Sequence, residues 1–275
     1  MSRVLVTGGT GMLGRVLVPK LHQAGYSVRV MSRHPRSENV QREIEWAQAD
    51  VLTGEGLRES VREVDVIIHG ASNPIGKNMY AVEVEGTRNV LNAARDANIS
   101  HFIYVSIVGI DRTPHEYYTA KLAAERVVET FSSRSAGQRN FSTTILRGTQ
   151  FFELIDFRLQ HLARFPIVVL DPHMKFQPVD VREFSDALVE LARKPAQGLL
   201  PDFGGPQILG LGEILREWLR AKQLRRFVVN VRAPGKFADA CRRGLNTNAL
   251  QRCGKITWRD WLAEQHKTFE VSGNL

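Results

Sequence analysis

Cysteine is nearly absent: Cys241 and Cys253 are the only two in 275 residues. They are too few and too widely spaced for a zinc cluster, a Cys-x-x-Cys redox pair or a disulfide-stapled miniprotein. Both are expected to be buried thiols in a reducing compartment. No apolar run approaches the roughly 18–20 residues of a membrane-spanning helix. The N-terminus has no basic, apolar, small-residue signal layout, so the expected location is cytoplasmic. Internal repeats and low-complexity tracts are missing too, and no set of metal ligands stands out.

What remains is an ordinary globular composition, 43% hydrophobic and 24% charged, with a net charge of +8. That excludes a disordered tail or a collagen-like chain. The charge is unevenly placed. Residues 206–275 hold 13 basic and 6 acidic side chains, which leaves 24 and 23 in residues 1–205. Such an excess raises the question of a polyanionic partner. The basic residues are scattered among apolar ones, however, and not interleaved with aromatics on one helix face, as nucleic-acid binding would ask. A solvated surface, or one that attracts an anionic small-molecule substrate, is the expectation. Neither nucleic acid nor a membrane is an expected partner, and the oligomeric state is left open.

Short apolar runs alternate with helical stretches along the first half. Arg3–Thr7, Ser27–Ser32, Ile44–Gln48, Val64–His69, His101–Ser106 and Ser142–Leu146 read as strands. Helices are expected over Met12–Ala24, Gly56–Glu63, Tyr80–Ala97 and Tyr117–Phe131. A parallel connection needs a crossover of about a dozen residues, so this alternation predicts an α/β fold: a doubly wound parallel sheet (Rossmann) with a small C-terminal substrate lobe. Residues 1–150 would form the dinucleotide-binding core. Residues 151–275 would form the lobe, interleaved with the last part of the sheet in a single continuous domain. Seven prolines punctuate this looser stretch between residues 166 and 234, with helices expected near 183–193, 211–221 and 257–269.

Between the first strand and helix lies Thr7-Gly8-Gly9-Thr10-Gly11-Met12-Leu13-Gly14-Arg15. Gly8, Gly11 and Gly14 stand three apart where a tight turn, the close approach of a pyrophosphate and close helix packing all disfavour a Cβ. Helix N-terminal N–H groups would then face the phosphates. A carboxylate after the second strand would select NAD, but the sequence there is Met31-Ser32-Arg33-His34-Pro35-Arg36. Arg33, Arg36 and Arg15 suit a 2′-phosphate, which favours NADP, with NAD as the alternative. Asp50, with Val51 beside it, is a candidate acceptor for the adenine amino group or else the cap of a turn. Gly70, Ala71 and Ser72 follow the fourth strand, on the ligand-binding edge of this architecture.

Tyr117 and Lys121 are four residues apart and share a helix face. The lysine ammonium favours the phenolate and is expected to draw the tyrosine down from about 10 towards a useful acid/base range. It would also hold the cofactor ribose. Phe151, Phe152 and Phe176 are candidate walls of an apolar pocket or core aromatics, and Trp258 and Trp261 read as helix-packing anchors.

Thr-Gly-x-x-Gly-x-x-Gly after the first strand, with Tyr-x-x-x-Lys on the fifth helix, resembles the short-chain dehydrogenase/reductase superfamily. Gly86–Ala94 is similar to its fourth helix in the extended and atypical branches. Thr-Gly-x-Thr-Gly-x-x-Gly-Arg with Ser-Arg-x-Pro resembles its NmrA-like, NADP-preferring members. The resemblance is close over about residues 3–150. It implies hydride transfer to or from a carbonyl, alcohol or quinone-like group, with Tyr117 as acid/base, Lys121 as its partner and Ser106 as the hydroxyl at the end of the fifth strand. The superfamily's fourth-helix Asn is Glu83 here. Some NmrA-like members bind the dinucleotide without turnover, so a redox sensor is one alternative and a sugar-nucleotide epimerase or dehydratase another.

Overall fold

The computed structural model describes residues 2–36, 42–134 and 141–272. In chain order the first elements are β1 (Arg3–Thr7), α1 (Gly14–Gln23), β2 (Ser27–Ser32), β3 (Glu45–Gln48), α2 (Leu57–Ser60) and β4 (Val66–His69). Then follow α3 (Met79–Ala81), a π-helical turn over Val82–Gly86, α4 (Thr87–Asp96), β5 (His101–Ile107), α5 (Glu116–Arg134) and β6 (Ser142–Gly148). The rest comprises α6 (Phe152–Leu162), β7 (Ile167–Leu170), β8 (Lys175–Phe176), α7 (Val181–Arg193), β9 (Gly198–Leu199), β10 (Leu209–Gly210), α8 (Leu211–Ala221), β11 (Phe227–Asn230), α9 (Lys236–Arg243) and α10 (Trp258–Ser272).

Two compact units form. The first is built from Met1–Ser106, Glu116–Arg147 and Ser185–Pro201, and the second from Ile107–His115, Gly148–Phe184 and Asp202–Leu275. The first unit holds a seven-stranded sheet in the order β3-β2-β1-β4-β5-β6-β9. Its pairings run parallel, for example Val4 beside both Val28 and Val66. The expected Rossmann sheet is therefore present, extended at one edge by β9, which pairs with Thr144 and Ile145 and was not expected. Leu5, Ile67 and Phe102 from the strands meet Val90, Leu91 and Val128 from the helices in one buried cluster. Strands buried on both faces carry near-continuous apolar runs, as Val66–His69 does.

The helix expected over Tyr80–Ala97 is broken by the π turn Val82–Gly86. One extra residue per turn widens the inward face, so Val82, Glu83, Val84, Gly86 and Thr87 are all buried. The Thr87 hydroxyl donates to the Glu83 carbonyl (2.5 Å) inside this turn. Glu83 is thereby carried inwards.

α5 is held to β6 by a buried ion pair. Arg147 Nε and Nη2 donate to the two Glu125 carboxylate oxygens at 2.9 and 2.5 Å. Glu125 lies one helical repeat beyond Lys121 and two beyond Tyr117, so this clamp orients the face that carries them.

In the second unit the looser stretch contains more regular structure than the sequence pattern predicts. α6 and α9 were not expected, although apolar Phe152, Ile155 and Leu159 recur at helical spacing. Phe152 is completely buried, with its ring 5.5 and 5.7 Å from those of Trp258 and Trp261. It is core and not pocket wall, while the tryptophans anchor packing as expected. Cys241 is buried, but Cys253 is exposed, against expectation, in a segment without regular secondary structure, where its amide donates to the Gly204 carbonyl.

Arg147→Met would leave the Glu125 carboxylate buried without its partner. A loss of about 3–5 kcal/mol in unfolding free energy is expected, read from the denaturant midpoint. An unchanged midpoint would show that the clamp is not needed.

Candidate active site

The glycine turn uses its glycines for three separate reasons. Gly8 has φ +72°, and a Cβ there would stand 2.6 Å from the Gly70 carbonyl oxygen. A Cβ on Gly14 would stand 2.4 Å from Gly9 Cα, so the start of α1 can press onto the turn only without one. Gly11 is exposed and meets only the Gly8 carbonyl oxygen at 3.2 Å, so its outer side is open to a ligand. Gly9, which the spacing did not single out, packs under Val30.

α1 has no side-chain N-cap and no acid in its first turn. Its positive end therefore suits an anion. Thr10, Met12 and Arg15 are exposed around it and Leu13 is half-buried, with Arg15 Nε donating to the Thr10 carbonyl (2.8 Å). At the end of β2, Arg33 and Arg36 are exposed and the Ser32 hydroxyl accepts the His34 amide (3.1 Å). Asp50 caps its own turn, accepting the Leu52 amide (2.7 Å). Val51 is buried against Gly86, and its carbonyl accepts from Asn89 (3.0 Å).

A directed chain of hydrogen bonds leaves this turn. The Ala71 amide donates to Thr7 Oγ1 (3.1 Å), and the Thr7 hydroxyl donates to His69 Nδ1 (2.8 Å). His69 Nε2–H donates to Thr87 Oγ1 (3.1 Å), whose own proton goes to the Glu83 carbonyl. Only the Nε2–H tautomer of a neutral imidazole satisfies every member. Burial, reinforced by the Lys121 charge, lowers His69 to about 3 and keeps it neutral. The ends of β1 and β4 are thus tied to the π turn.

Glu83 is the hub of the second half. Its Oε1 accepts the Ser72 hydroxyl (2.5 Å) and the Asn73 amide (3.2 Å), and its Oε2 lies 3.4 Å from Lys121 Nζ. Lys121 also donates to the Val105 carbonyl (2.7 Å) and stands 4.1 Å over the Tyr104 ring. Ser72 Oγ is 2.7 Å from the Tyr117 hydroxyl. Since Ser72 gives its single proton to the carboxylate, Tyr117 must donate to Ser72. The order is Tyr117 O–H, Ser72 O–H, Glu83 carboxylate.

The expected drawing-down of Tyr117 by Lys121 does not prevail. Burial pushes the phenol up to about 12, Lys121 works against that rise, and Glu83 adds to it. Lys121 is shared with a carboxylate that lies between its charge and the phenol's neighbour. Tyr117 and Lys121 do share a helix face, as their spacing implies. Ser106 is buried within β5, and its hydroxyl has no hydrogen-bond partner among the described residues. The hydroxyl that meets Tyr117 is that of Ser72, 45 positions away in sequence, assigned beforehand only to the cofactor.

The model of a family described as NAD(P)H-binding matches residues 8–151. A 3-beta-hydroxysteroid dehydrogenase of Mycolicibacterium neoaurum is 30% identical over 117 residues, covering 38% of this chain and 32% of that protein. Cinnamoyl-CoA reductase 1 of Oryza sativa subsp. japonica is 26% identical over 275 residues, covering 86% and 79%. The chain thus spans about a third of the first relative and four-fifths of the second. A Thermus thermophilus UDP-glucose 4-epimerase in complex with NAD superposes with a TM-score of 0.70 at 20% identity, over 85% of this chain and 87% of that one. That likeness is one of fold.

Glu83→Gln removes the negative charge that raises Tyr117 and frees Lys121 to act on it. The Tyr117 titration is expected to fall from about 12 towards the ordinary phenol range, followed by NMR of a labelled Tyr117 ring. A titration unmoved by the substitution would refute the assigned hub.

Proposed function

The chain belongs to the NAD(P)H-binding family, within the short-chain dehydrogenase/reductase superfamily, and on that premise we propose that it is an NADP-dependent oxidoreductase acting on a carbonyl, alcohol or quinone-like group of a small molecule. The observation that carries this reading is the hydrogen-bonded array Tyr117–Ser72–Glu83, with Lys121 beside it. The glycine turn and the uncapped N-terminus of α1 would hold the pyrophosphate. Arg33, Arg36 and Arg15 would meet a 2′-phosphate, and Lys121 would hold the ribose. Bound there, the nicotinamide supplies or accepts the hydride. The orphaned Ser106 hydroxyl, costly to bury alone, suits a ligand oxygen.

In the oxidising direction Tyr117 accepts the alcohol proton as its own passes to Ser72 and that of Ser72 passes to the Glu83 carboxylate. In the reducing direction Glu83 first takes up a proton from solvent, the relay runs backwards through Ser72, and the Tyr117 hydroxyl protonates the nascent alkoxide. No free phenolate has to build up. A phenol held near 12 can therefore still serve at neutral pH, because the proton comes to rest on a carboxylate.

The substrate chemistry rests on less. The second unit contains a cavity of about 800 Å³ whose lining includes Arg112, Arg232, Lys236 and Arg243, which supports a substrate with an anionic group. NmrA-like affinity and a cytoplasmic location belong to the same proposal. Among the described residues no helix is long and apolar enough to cross a membrane.

The test is loss of NADPH absorbance with a panel of carbonyl and quinone substrates. Tyr117→Phe should cost at least about a hundredfold in kcat, with cofactor affinity retained. Undiminished turnover by Tyr117→Phe would overturn the mechanism, and tight NADPH binding without turnover of any substrate would favour the sensor. A product released with its cofactor still unchanged would favour the epimerase. Arg33→Ala should weaken NADP binding about tenfold and leave NAD binding unaltered, as measured by titration calorimetry.

A further inference from the structure

The second unit presents an apolar surface that its own core does not use. β7 alternates regularly: Val168 and Leu170 point into the core cluster, while Ile167 and Val169 are each 52% exposed. β11 pairs with it in parallel, setting Phe227 beside Ile167 and Val229 beside Val169. Paired residues of parallel strands project to the same side, so Phe227 joins the outward row. Phe227 is 69% exposed, and Phe165, in the turn entering β7, is 67% exposed. Single exposed apolar residues need no explanation, but a row of large ones on one small sheet does.

The charges at the entry to this row are basic: Arg164 precedes Phe165, and Arg225 and Arg226 precede Phe227. The segments 156–171 and 217–230 contain six Lys or Arg against Asp156, Asp171 and Glu217, and Lys222 is paired with Asp156. Both strands are entered through one pattern, a basic residue followed by phenylalanine: Arg164-Phe165 just before β7, and Arg225-Arg226 leading into Phe227, the first residue of β11. The loops are tied together, with the Phe227 amide donating to the Pro166 carbonyl and Arg226 Nε donating to the Ala163 carbonyl (2.7 Å). Arg164 and Arg225 are exposed.

We propose that this face, with Phe165 and Phe227 flanked by Arg164 and Arg225, docks the protein peripherally on an anionic lipid bilayer. The aromatic rings would enter the headgroup boundary while the guanidinium groups meet lipid phosphates. A second copy of the chain fits less well, because a two-fold contact would set the exposed Arg164 and Arg225 against themselves. Nucleic acid fits less well too, since the row includes aliphatic Ile167 and Val169 and is not a set of stacking aromatics. This departs from the expectation that no membrane is a partner, which rested on a basic surface either solvated or attracting an anionic substrate and did not anticipate the apolar row between the cations. The inference is independent of the proposed reaction.

Co-sedimentation of the full chain with phosphatidylcholine vesicles, with and without phosphatidylglycerol, tests it. Binding is expected only with the anionic lipid and should weaken as salt rises. Arg164→Glu/Arg225→Glu and, separately, Phe165→Ser/Phe227→Ser should each reduce it at least about tenfold. All four positions are exposed, and unchanged melting temperatures would verify that the variants fold. Three results would each overturn the proposal: no binding to the anionic vesicles; loss with the arginine variant alone, which means bare electrostatic adsorption; or a concentration-dependent dimer in solution that Phe165→Ser/Phe227→Ser abolishes.

Discussion

Burying a carboxylate costs several kcal/mol unless its charge is answered; Glu83 Oε1 is hydrogen-bonded, while Oε2, without a hydrogen bond among the described residues, relies on the Lys121 charge. Lys121 lies against one oxygen, and Ser72 with the Asn73 amide against the other. Each partner is fixed in turn by something else. Lys121 is anchored to the end of β5 through Val105, and Ser72 follows the strand end that Thr7 and His69 tie to β1. Removing the carboxylate would leave an ammonium, a serine and a backbone amide without a common acceptor. The direction of the tyrosine proton follows from the need to satisfy this one group.

That requirement also accounts for the electrostatics of Tyr117. A lysine four residues away would be expected to ease ionisation of the phenol, but its charge is answered by Glu83, and burial dominates. The consequence is a division of labour. In the proposed reaction the tyrosine touches the substrate oxygen, and the carboxylate behind it stores the proton. Two weak acids in series bridge a gap that neither spans alone.

The parts legible in the sequence were those set by local periodicity. The glycine spacing marks a turn that only glycine can make, as the 2.6 and 2.4 Å approaches at Gly8 and Gly14 explain. The Tyr117–Lys121 spacing is likewise a property of one helix. What was not legible depends on contacts far apart in sequence or on helix irregularity. Nothing near Ser72 announces that Tyr117 will donate to it, and no spacing rule reveals a π turn at Val82–Gly86. Glu83 drew notice as a substitution in a recognisable pattern, but its role became visible only once its neighbours were in place. In the second unit, two-residue strands such as β8 and β10 are too short for any periodic signal.

The first unit closes its sheet with β9, and its last stretch is Ser185–Pro201. On the ribosome, therefore, its seventh strand is not yet made when residues 1–150 have emerged. The nascent chain must hold a nearly finished sheet with an open β6 edge while some fifty further residues are added, part of which belong to the other unit. An unpaired edge is a template for the wrong partner. β9 is only two residues long and pairs with Thr144 and Ile145 alone, so even this partial cover of the β6 edge waits on its synthesis.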